Sequence, residues 1–597
     1  MWDLTRFKKK KNFNPKKKIE PRIKFLIFVF VVFGLLIIGR LFNFQVLKYG
    51  YYSALASDQH EIYRKLFAER GTIYMIDKMG SKLNKHEVLY SVAINKDFNL
   101  VYAQPKYIEK SAQEIAEALT PILEPDPEKQ EGFKKIILEK LNKTDDPYEE
   151  LKDRVEDSQV EMIEQLQFAG IKSIKKSSRY YPENNLAAQV LGFVSRDERT
   201  GKYGIEGYFN QELSGKQGEI ISENDIAGRI ISVGTMNMTK AEDGADIILT
   251  IDRNMQYQVC KQVSEHAKVL EAKSAAAVVM DPQTGEIIAM CSYPDFNPNE
   301  YNLIENNDLS VYNNRTIYEP YEPGSIFKPI TMAAGLDLGL ITPETSYIDV
   351  GQLEIDEEKI NNADKQAHGL RTMTEVLEMS LNTGTVFVSE KLGQRNLRHY
   401  LEKFGFGKKT GIQLETELEG NISSLDKKAE IYTATASFGQ GITVTPLQMV
   451  QAFSAIANGG KLVRPYLVEE IRYPDGRVVK TQHPQPQQVI SSKTATLLSG
   501  MLVSVIENGQ GNQAKIPGYY AAGKTGTAQI PVPGGYSQTE TNHSFIGFAP
   551  LKDPAFVLII KFEAPKHGSY SSVTTAPLFS RIAKTILDYY HVMPDAL

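Results

Sequence analysis

The chain is poor in cysteine and histidine and has only one long apolar run. Two cysteines, Cys260 and Cys291, occur in 597 residues, which excludes a disulfide-dense scaffold and a zinc site built from cysteines. Nine histidines are scattered without an HExxH pair, so no metal enzyme is signalled. A single apolar run excludes a polytopic membrane protein. No internal repeat is found. Hydrophobic residues at 42% and charged ones at 24% exclude wholesale disorder. The length fits about three folded units.

Charge is unevenly placed. Residues 1–24 hold ten basic and two acidic groups, a net +8, which leaves −13 on the rest of a chain whose formal charge is −5. This tail abuts Phe25–Gly39, fifteen residues without a polar side chain, about 22 Å of helix. With its flanks it approaches the roughly 30 Å of a bilayer core. Such a run, apolar all round, reads as a single-pass anchor over 23–47. Basic residues before it keep a cytoplasmic tail over 1–22 and send the remainder outside. A cleaved signal peptide is disfavoured because Ala54-Leu55-Ala56 lies too far beyond the apolar core. The tail is assigned to the membrane, not to nucleic acid.

Residues 48–250 read as a mixed structural stalk. Helical spacing runs over Ser111–Leu123 and Glu131–Lys143, with Pro125-Asp126-Pro127 as breaker, and strand-like pieces fall at Glu87–Asn95 and Gly218–Ser222. From 251 to 597 the pattern changes. A helix is predicted over Asn254–Leu270, then a hairpin of Ser274–Met280 and Glu286–Ser292. A second hairpin, His543–Ala549 with Ala555–Phe562, precedes a closing helix over Leu578–Tyr590. Strands at both ends with helices between them predict an α+β domain whose terminal strands share a sheet.

Three short motifs carry chemistry. Ser325 opens a predicted helix running to about Leu340, and Lys328 stands three residues on, so amine and hydroxyl share a face. A serine needs a base to become a nucleophile, and a lysine serves only if its pKa falls. Second, a capping box at Thr372–Glu375 leads a helix that breaks at Ser380–Gly384, placing Ser380 and Asn382 on one side. Third, Gly523–Gln529 sets small residues around Lys524. On an edge strand it admits an extended substrate backbone, facing Lys524 and the hydroxyls of Thr525 and Thr527. Gly518–Thr525 also satisfies the P-loop pattern, but Ile530-Pro531-Val532-Pro533 forbids the helix a P-loop requires.

The order SxxK, then SxN 55 residues on, then KTG 144 further, resembles the class B penicillin-binding proteins. The resemblance extends to Asn314-Arg315, Tyr321–Ser325, Thr410-Gly411-Ile412, Ser437–Gly441 and Thr445–Gln448. In the stalk it includes Arg70–Ile73, Arg179–Pro182 and Gly201–Glu206. Departures are Met75-Ile76 before Asp77, and Ser544-Phe545 where many relatives keep an aromatic pair. The resemblance implies an elongated mixed α/β pedestal (the dimerisation-type domain) over 48–250, then a serine β-lactamase-like transpeptidase domain, an antiparallel sheet flanked by helices, over 251–597.

It also implies acyl transfer from a D-Ala-D-Ala stem peptide through Ser325, with no metal or cofactor. Lys328 is then the base, its protonation disfavoured by the second cation Lys524, and Ser380 passes the proton to the leaving amine. Asn382 holds the substrate amide, while Lys524, Thr525, Gly526 and Thr527 border the terminal carboxylate. Backbone N–H groups of Ser325 and Thr527 form the oxyanion hole. Expected partners are peptidoglycan stem peptides, β-lactams, a polytopic glycan polymerase and other division or elongation proteins. Glu322-Pro323 leans toward the septal type.

Two alternatives stand beside this. A carboxypeptidase or β-lactamase-type hydrolase would recruit a glutamate such as Glu415, although Glu419 replaces the asparagine of the ExxLN pattern. A catalytically silent scaffold would have no reason to retain all three motifs. A bifunctional glycosyltransferase is disfavoured, since no such motif is recognisable in 48–250. Cys260 and Cys291 are expected to be buried and inert, with a disulfide left open by the extracytoplasmic assignment.

Overall fold

The computed structural model describes residues 21–42, 48, 68–196, 198–221, 237–304 and 308–596. Most of the basic tail, the end of the expected span at 43–47, Ala54-Leu55-Ala56 and Ser222 lie outside them. A 22-residue helix, Pro21–Phe42, falls where the anchor is expected, and its described side chains are mostly exposed. Among the described residues no helix is long and apolar enough to cross a membrane.

The chain divides into two compact units, one of Met1–Leu66, Asp97–Ser178 and Glu219–Lys240, the other of Phe67–Lys96, Arg179–Gly218 and Ala241–Leu597. In the first, helices Ala112–Leu123 and Pro127–Leu141 bury Ile115, Leu119, Ile137 and Leu141 with Leu151 and Val155 of strand Glu149–Val155. Pro127 starts its helix, and the previous one has already ended at Leu123, ahead of Pro125. Asp126 caps the Glu128 N–H at 3.1 Å, and a proline in the first turn forfeits no helical hydrogen bond.

The second unit is built on a five-stranded antiparallel sheet. Its order is Ile287–Tyr293, Ser274–Met280, Phe556–Glu563, Gly535–Ala549, Ala522–Val532. Early and late strands do share it, in register from Ser274↔Glu563 to Met280↔Val557. Alternation sends Ala275, Ala277 and Val279 to one face, against helices Arg253–Val269 and Ser571–Tyr589. Val278 and Met280 go to the other face, with Ile326, Phe327 and Ile330.

The last helix begins seven residues before the expected Leu578 and contains Pro577. A proline inside a helix removes one backbone donor. Here Ala576, Leu578 and Phe579 on either side of it are buried against the sheet, which holds the helix through the proline.

The cysteines are not free thiols. Cys260 of the helix and Cys291 of the strand are joined in a disulfide, with Cα atoms 5.3 Å apart and a sequence separation of 31. In the loop-entropy account a bridge of that span contributes about 3–4 kcal/mol. Changing both to serine is therefore expected to lower the urea midpoint clearly, and an unchanged midpoint would contradict this.

Candidate active site

Ser325 and Lys328 are brought together by a 3₁₀ turn, Gly324–Phe327, which runs into helix Lys328–Asp337. Residues i and i+3 eclipse in a 3₁₀ turn. Pro329 stands in the helix's first turn, where its missing N–H forfeits no helical bond and its fixed φ suits the helix. Gly324 has φ +56°, and a Cβ there would lie 2.9 Å from that of Ala528, so the loop tolerates no side chain. Its N–H donates to Gly439 O at 3.0 Å.

The SxN segment follows the expected capping box, which forms: Thr372 Oγ1 accepts from the Glu375 N–H at 3.3 Å and Glu375 Oε2 from the Thr372 N–H at 2.8 Å. The helix stops at Glu378, and Ser380 takes φ +58°, a left-handed conformation that costs a non-glycine residue about 1–3 kcal/mol. A buried hub holds the next helix start. Asp349 accepts from Thr383 Oγ1 at 2.7 Å and Asn362 Nδ2 at 2.9 Å, and Asn362 Oδ1 accepts from the Asn382 N–H at 2.9 Å. Burial opposes ionisation of Asp349, but these bonds outweigh it and hold its pKa below the usual carboxylate value.

The third motif lies within strand Ala522–Val532 at the sheet's edge, with no helix after it, so the P-loop pattern is incidental. A Cβ on Gly526 would approach Ser544 Oγ to 2.7 Å and Ile326 N to 3.2 Å. The glycine of KTG thus lets the edge strand lie against the turn carrying Ser325.

All three motifs meet at Ser380. Lys328 Nζ donates to Ser380 O at 2.5 Å and Oγ at 3.3 Å, and Lys524 Nζ reaches the same Oγ at 2.9 Å and Thr525 O at 3.1 Å. Both lysines are fully buried and Ser325 is half-buried. Among the described residues no carboxylate bonds to either amine. Burial drives both amines toward neutrality: Lys524 falls to about 7, and Lys328 falls well below the ordinary value, with the Lys524 charge adding to the effect. Desolvation is therefore the larger cause and the second cation the smaller.

Two other expected residues already have partners within the protein: Asn382 Nδ2 donates to Asn361 O at 2.8 Å, and Thr527 Oγ1 is bonded to Ser571. Glu322 was legible as part of a motif but not by its contacts. It is buried, accepts from the Gly441 N–H at 3.0 Å and Tyr536 Oη at 3.1 Å, and burial pushes its carboxyl up. Tyr536, Ser571 and Thr574 carry no local signal, because only tertiary structure brings them to the cleft.

The chain matches two family models: the penicillin binding protein transpeptidase domain over 275–584 and the penicillin-binding protein dimerisation domain over 65–249. It is 33% identical over 585 residues to stage V sporulation protein D of Bacillus subtilis, covering 96% of this chain and 87% of that one. Against peptidoglycan D,D-transpeptidase FtsI of Escherichia coli K12 it is 30% identical over 445 residues, covering 74% and 73%. Penicillin binding protein 3 of Mycobacterium tuberculosis, solved with aztreonam, superposes with a TM-score of 0.67 at 25% identity, over 89% of this chain and 98% of that one. The chain belongs to the class B penicillin-binding proteins. It is a serine-type D-Ala-D-Ala transpeptidase.

In this penicillin-binding protein the three stalk motifs converge on one buried ion cluster. Glu206, fully buried, accepts from Arg179 Nε at 2.6 Å and Arg70 Nε at 2.7 Å, with Tyr181 Oη at 3.3 Å. Arg179 also donates to Gly71 O at 2.8 Å. Glu415 sits apart from the lysines. It lines an open cleft of about 680 Å³ with Tyr208, Lys409 and Arg464. Its neighbour Glu417 accepts from the Thr410 N–H at 2.7 Å and the Gly411 N–H at 3.0 Å.

Proposed function

We propose that this class B penicillin-binding protein cross-links peptidoglycan stem peptides through an acyl-enzyme on Ser325, and that β-lactams acylate the same serine. The observation that carries the reading is Ser380 Oγ held between two fully buried amines, 3.3 Å from Lys328 Nζ and 2.9 Å from Lys524 Nζ. A neutral Lys328 takes the Ser325 proton as the hydroxyl oxygen attacks the penultimate D-alanine carbonyl. Ser380, in contact with both amines, returns a proton to the departing D-alanine. Backbone N–H groups of Ser325 and Thr527 face the developing oxyanion. Asn382 holds the stem-peptide amide, and Lys524, Thr525, Gly526 and Thr527 border the terminal carboxylate. An amine of a second stem then attacks the ester, and the same groups run in reverse.

A transpeptidase is favoured over a hydrolase because Glu415 lies among Tyr208, Lys409 and Arg464 instead of beside the amines. The reading divides the chain into a basic cytoplasmic tail over 1–22, an anchor over 23–47, a pedestal over 48–250 and a transpeptidase domain over 251–597. The exposed apolar helix Pro21–Phe42 supports the anchor, and the Cys260–Cys291 disulfide supports an extracytoplasmic body, since such bonds persist in oxidising compartments. A glycan polymerase and other division or elongation proteins are the proposed partners. The resemblance to FtsI and the Glu322-Pro323 pair favour a septal role.

Incubating the protein with a stem pentapeptide donor and a labelled D-amino acid acceptor tests the reaction class. Label exchanged into the donor is the expected product. Release of D-alanine with only hydrolysed tetrapeptide would overturn the transpeptidase in favour of a carboxypeptidase.

A further inference from the structure

The carboxylate side of the cleft is tied to the start of the C-terminal helix at two places that the reaction scheme above does not use. Thr527 and His543 are directly opposite on neighbouring strands. Thr527 Oγ1 accepts the Ser571 N–H at 3.1 Å and lies 3.0 Å from Ser571 Oγ. His543 Nδ1 is 2.9 Å from Thr574 Oγ1, and its Nε2 is 3.0 Å from Thr541 Oγ1. Ser571 and Thr574 are three apart on helix Ser571–Tyr589, so both ties reach one helix face. Ser571, His543 and Thr574 are at most 3% exposed, while Thr527 remains partly open to solvent.

Proton positions follow from counting donors. Thr574 donates its hydroxyl proton to Tyr570 O at 3.2 Å, so its oxygen is left to accept from His543 Nδ1–H. His543 Nε2 then accepts from Thr541. Burial pushes the His543 pKa down to about 4, so the imidazole stays neutral near pH 7 and this tautomer persists. Thr527 has one lone pair occupied by the Ser571 N–H. Its own proton goes to Ser571 Oγ in the free enzyme, or turns out to an incoming carboxylate. When it turns, the freed Ser571 hydroxyl can rotate and donate to Thr527 Oγ1. Two donors on one oxygen polarise its O–H and strengthen the bond it gives.

We infer that Ser571 is a positioning residue for the donor's terminal carboxylate, acting by orienting and polarising the Thr527 hydroxyl, with His543 and Thr574 fixing the helix start from which it does so. The inference rests on the proposed function, in which Thr527 meets that carboxylate. It is specific to substrates and inhibitors that carry the anion, because a ligand without it makes no demand on the Thr527 proton.

The test compares second-order rates of Ser325 acylation by benzylpenicillin and by its methyl ester, followed by intact mass. For Ser571→Ala the account expects a loss on the order of tenfold with the acid and less than about twofold with the ester. Ser571→Thr, which keeps a hydroxyl, should restore most of the rate. Thr574→Val should lose in the same selective way, less strongly, and carries the comparison alone if Ser571→Ala does not fold. Equal losses with acid and ester would make the contact purely structural and overturn the inference, as would no loss with either. A wild type that is never acylated would overturn the functional reading itself, a separate and recognisable result.

Discussion

Replacing Lys328 with methionine is expected to slow acylation of Ser325 by about 10²–10⁴-fold, the range for loss of a positioned acid–base group. Methionine is close to lysine in length and suits a fully buried position, so the fold should survive. What disappears is an amine kept neutral chiefly by burial and secondarily by the Lys524 charge. A pH dependence follows from the same burial. A base works only when unprotonated, so the rate should rise through the Lys328 pKa, on an acidic limb lying well below the ordinary lysine value of about 10.4. Removing the Lys524 charge relieves the repulsion and raises the Lys328 pKa. In Lys524→Met the residual acylation rate should therefore show its acidic limb at higher pH. A wild-type limb near pH 10, or one that does not move in the variant, would contradict this assignment of the base.

The largest stability effect is expected away from the cleft, at Glu206. Glutamine at this position removes the charge that Glu206 sets against Arg179 and Arg70, and Arg179 is itself buried. Breaking a buried pair from one side typically costs about 3–5 kcal/mol, because the surviving charge stays desolvated. Replacing all three residues with well-packed apolar ones should recover much of that loss, since no charge then remains buried. Urea titration of the two variants distinguishes the cases, and Glu206→Gln within about 0.5 kcal/mol of wild type would contradict the role. Burial alone would raise the Glu206 pKa, but the two guanidiniums overcome it and the net shift is downward. A depressed folded pKa stabilises the protein above the unfolded glutamate value of about 4.3 and is lost as pH falls through the folded one. The contribution is thus intact at neutral pH and fades only in acid.

What was legible in the sequence was local. Ser274–Met280 has the bounds its apolar run indicated, and helix Arg253–Val269 is offset by one residue from the expected Asn254–Leu270. The capping box at Thr372 formed because both halves of its signal lie within four residues. Strand Leu89–Ala103 runs eight residues past its expected end, since its second half, with Asn99 and Val101, is held by partners in Glu149–Val155 that local pattern does not show. The start of the last helix was hidden by Pro577, whose cost is met by packing against the sheet that no periodicity encodes. The order of SxxK, SxN and KTG was visible, but not that Ser380 stands between the two amines. That contact joins residues 52 and 144 apart. The cysteine pairing stayed open for the same reason, because its partners lie 31 positions apart and only a helix on a sheet brings them together.

The most direct measurement is the intact mass of the protein held with benzylpenicillin over hours, beside Ser325→Ala. The account expects one covalent adduct on the wild type that persists for hours, and none on the folded variant. An adduct that disappears within seconds as drug is consumed would make the protein a hydrolase. No mass gain on folded wild type, or an equal gain on Ser325→Ala, would contradict Ser325 as the nucleophile.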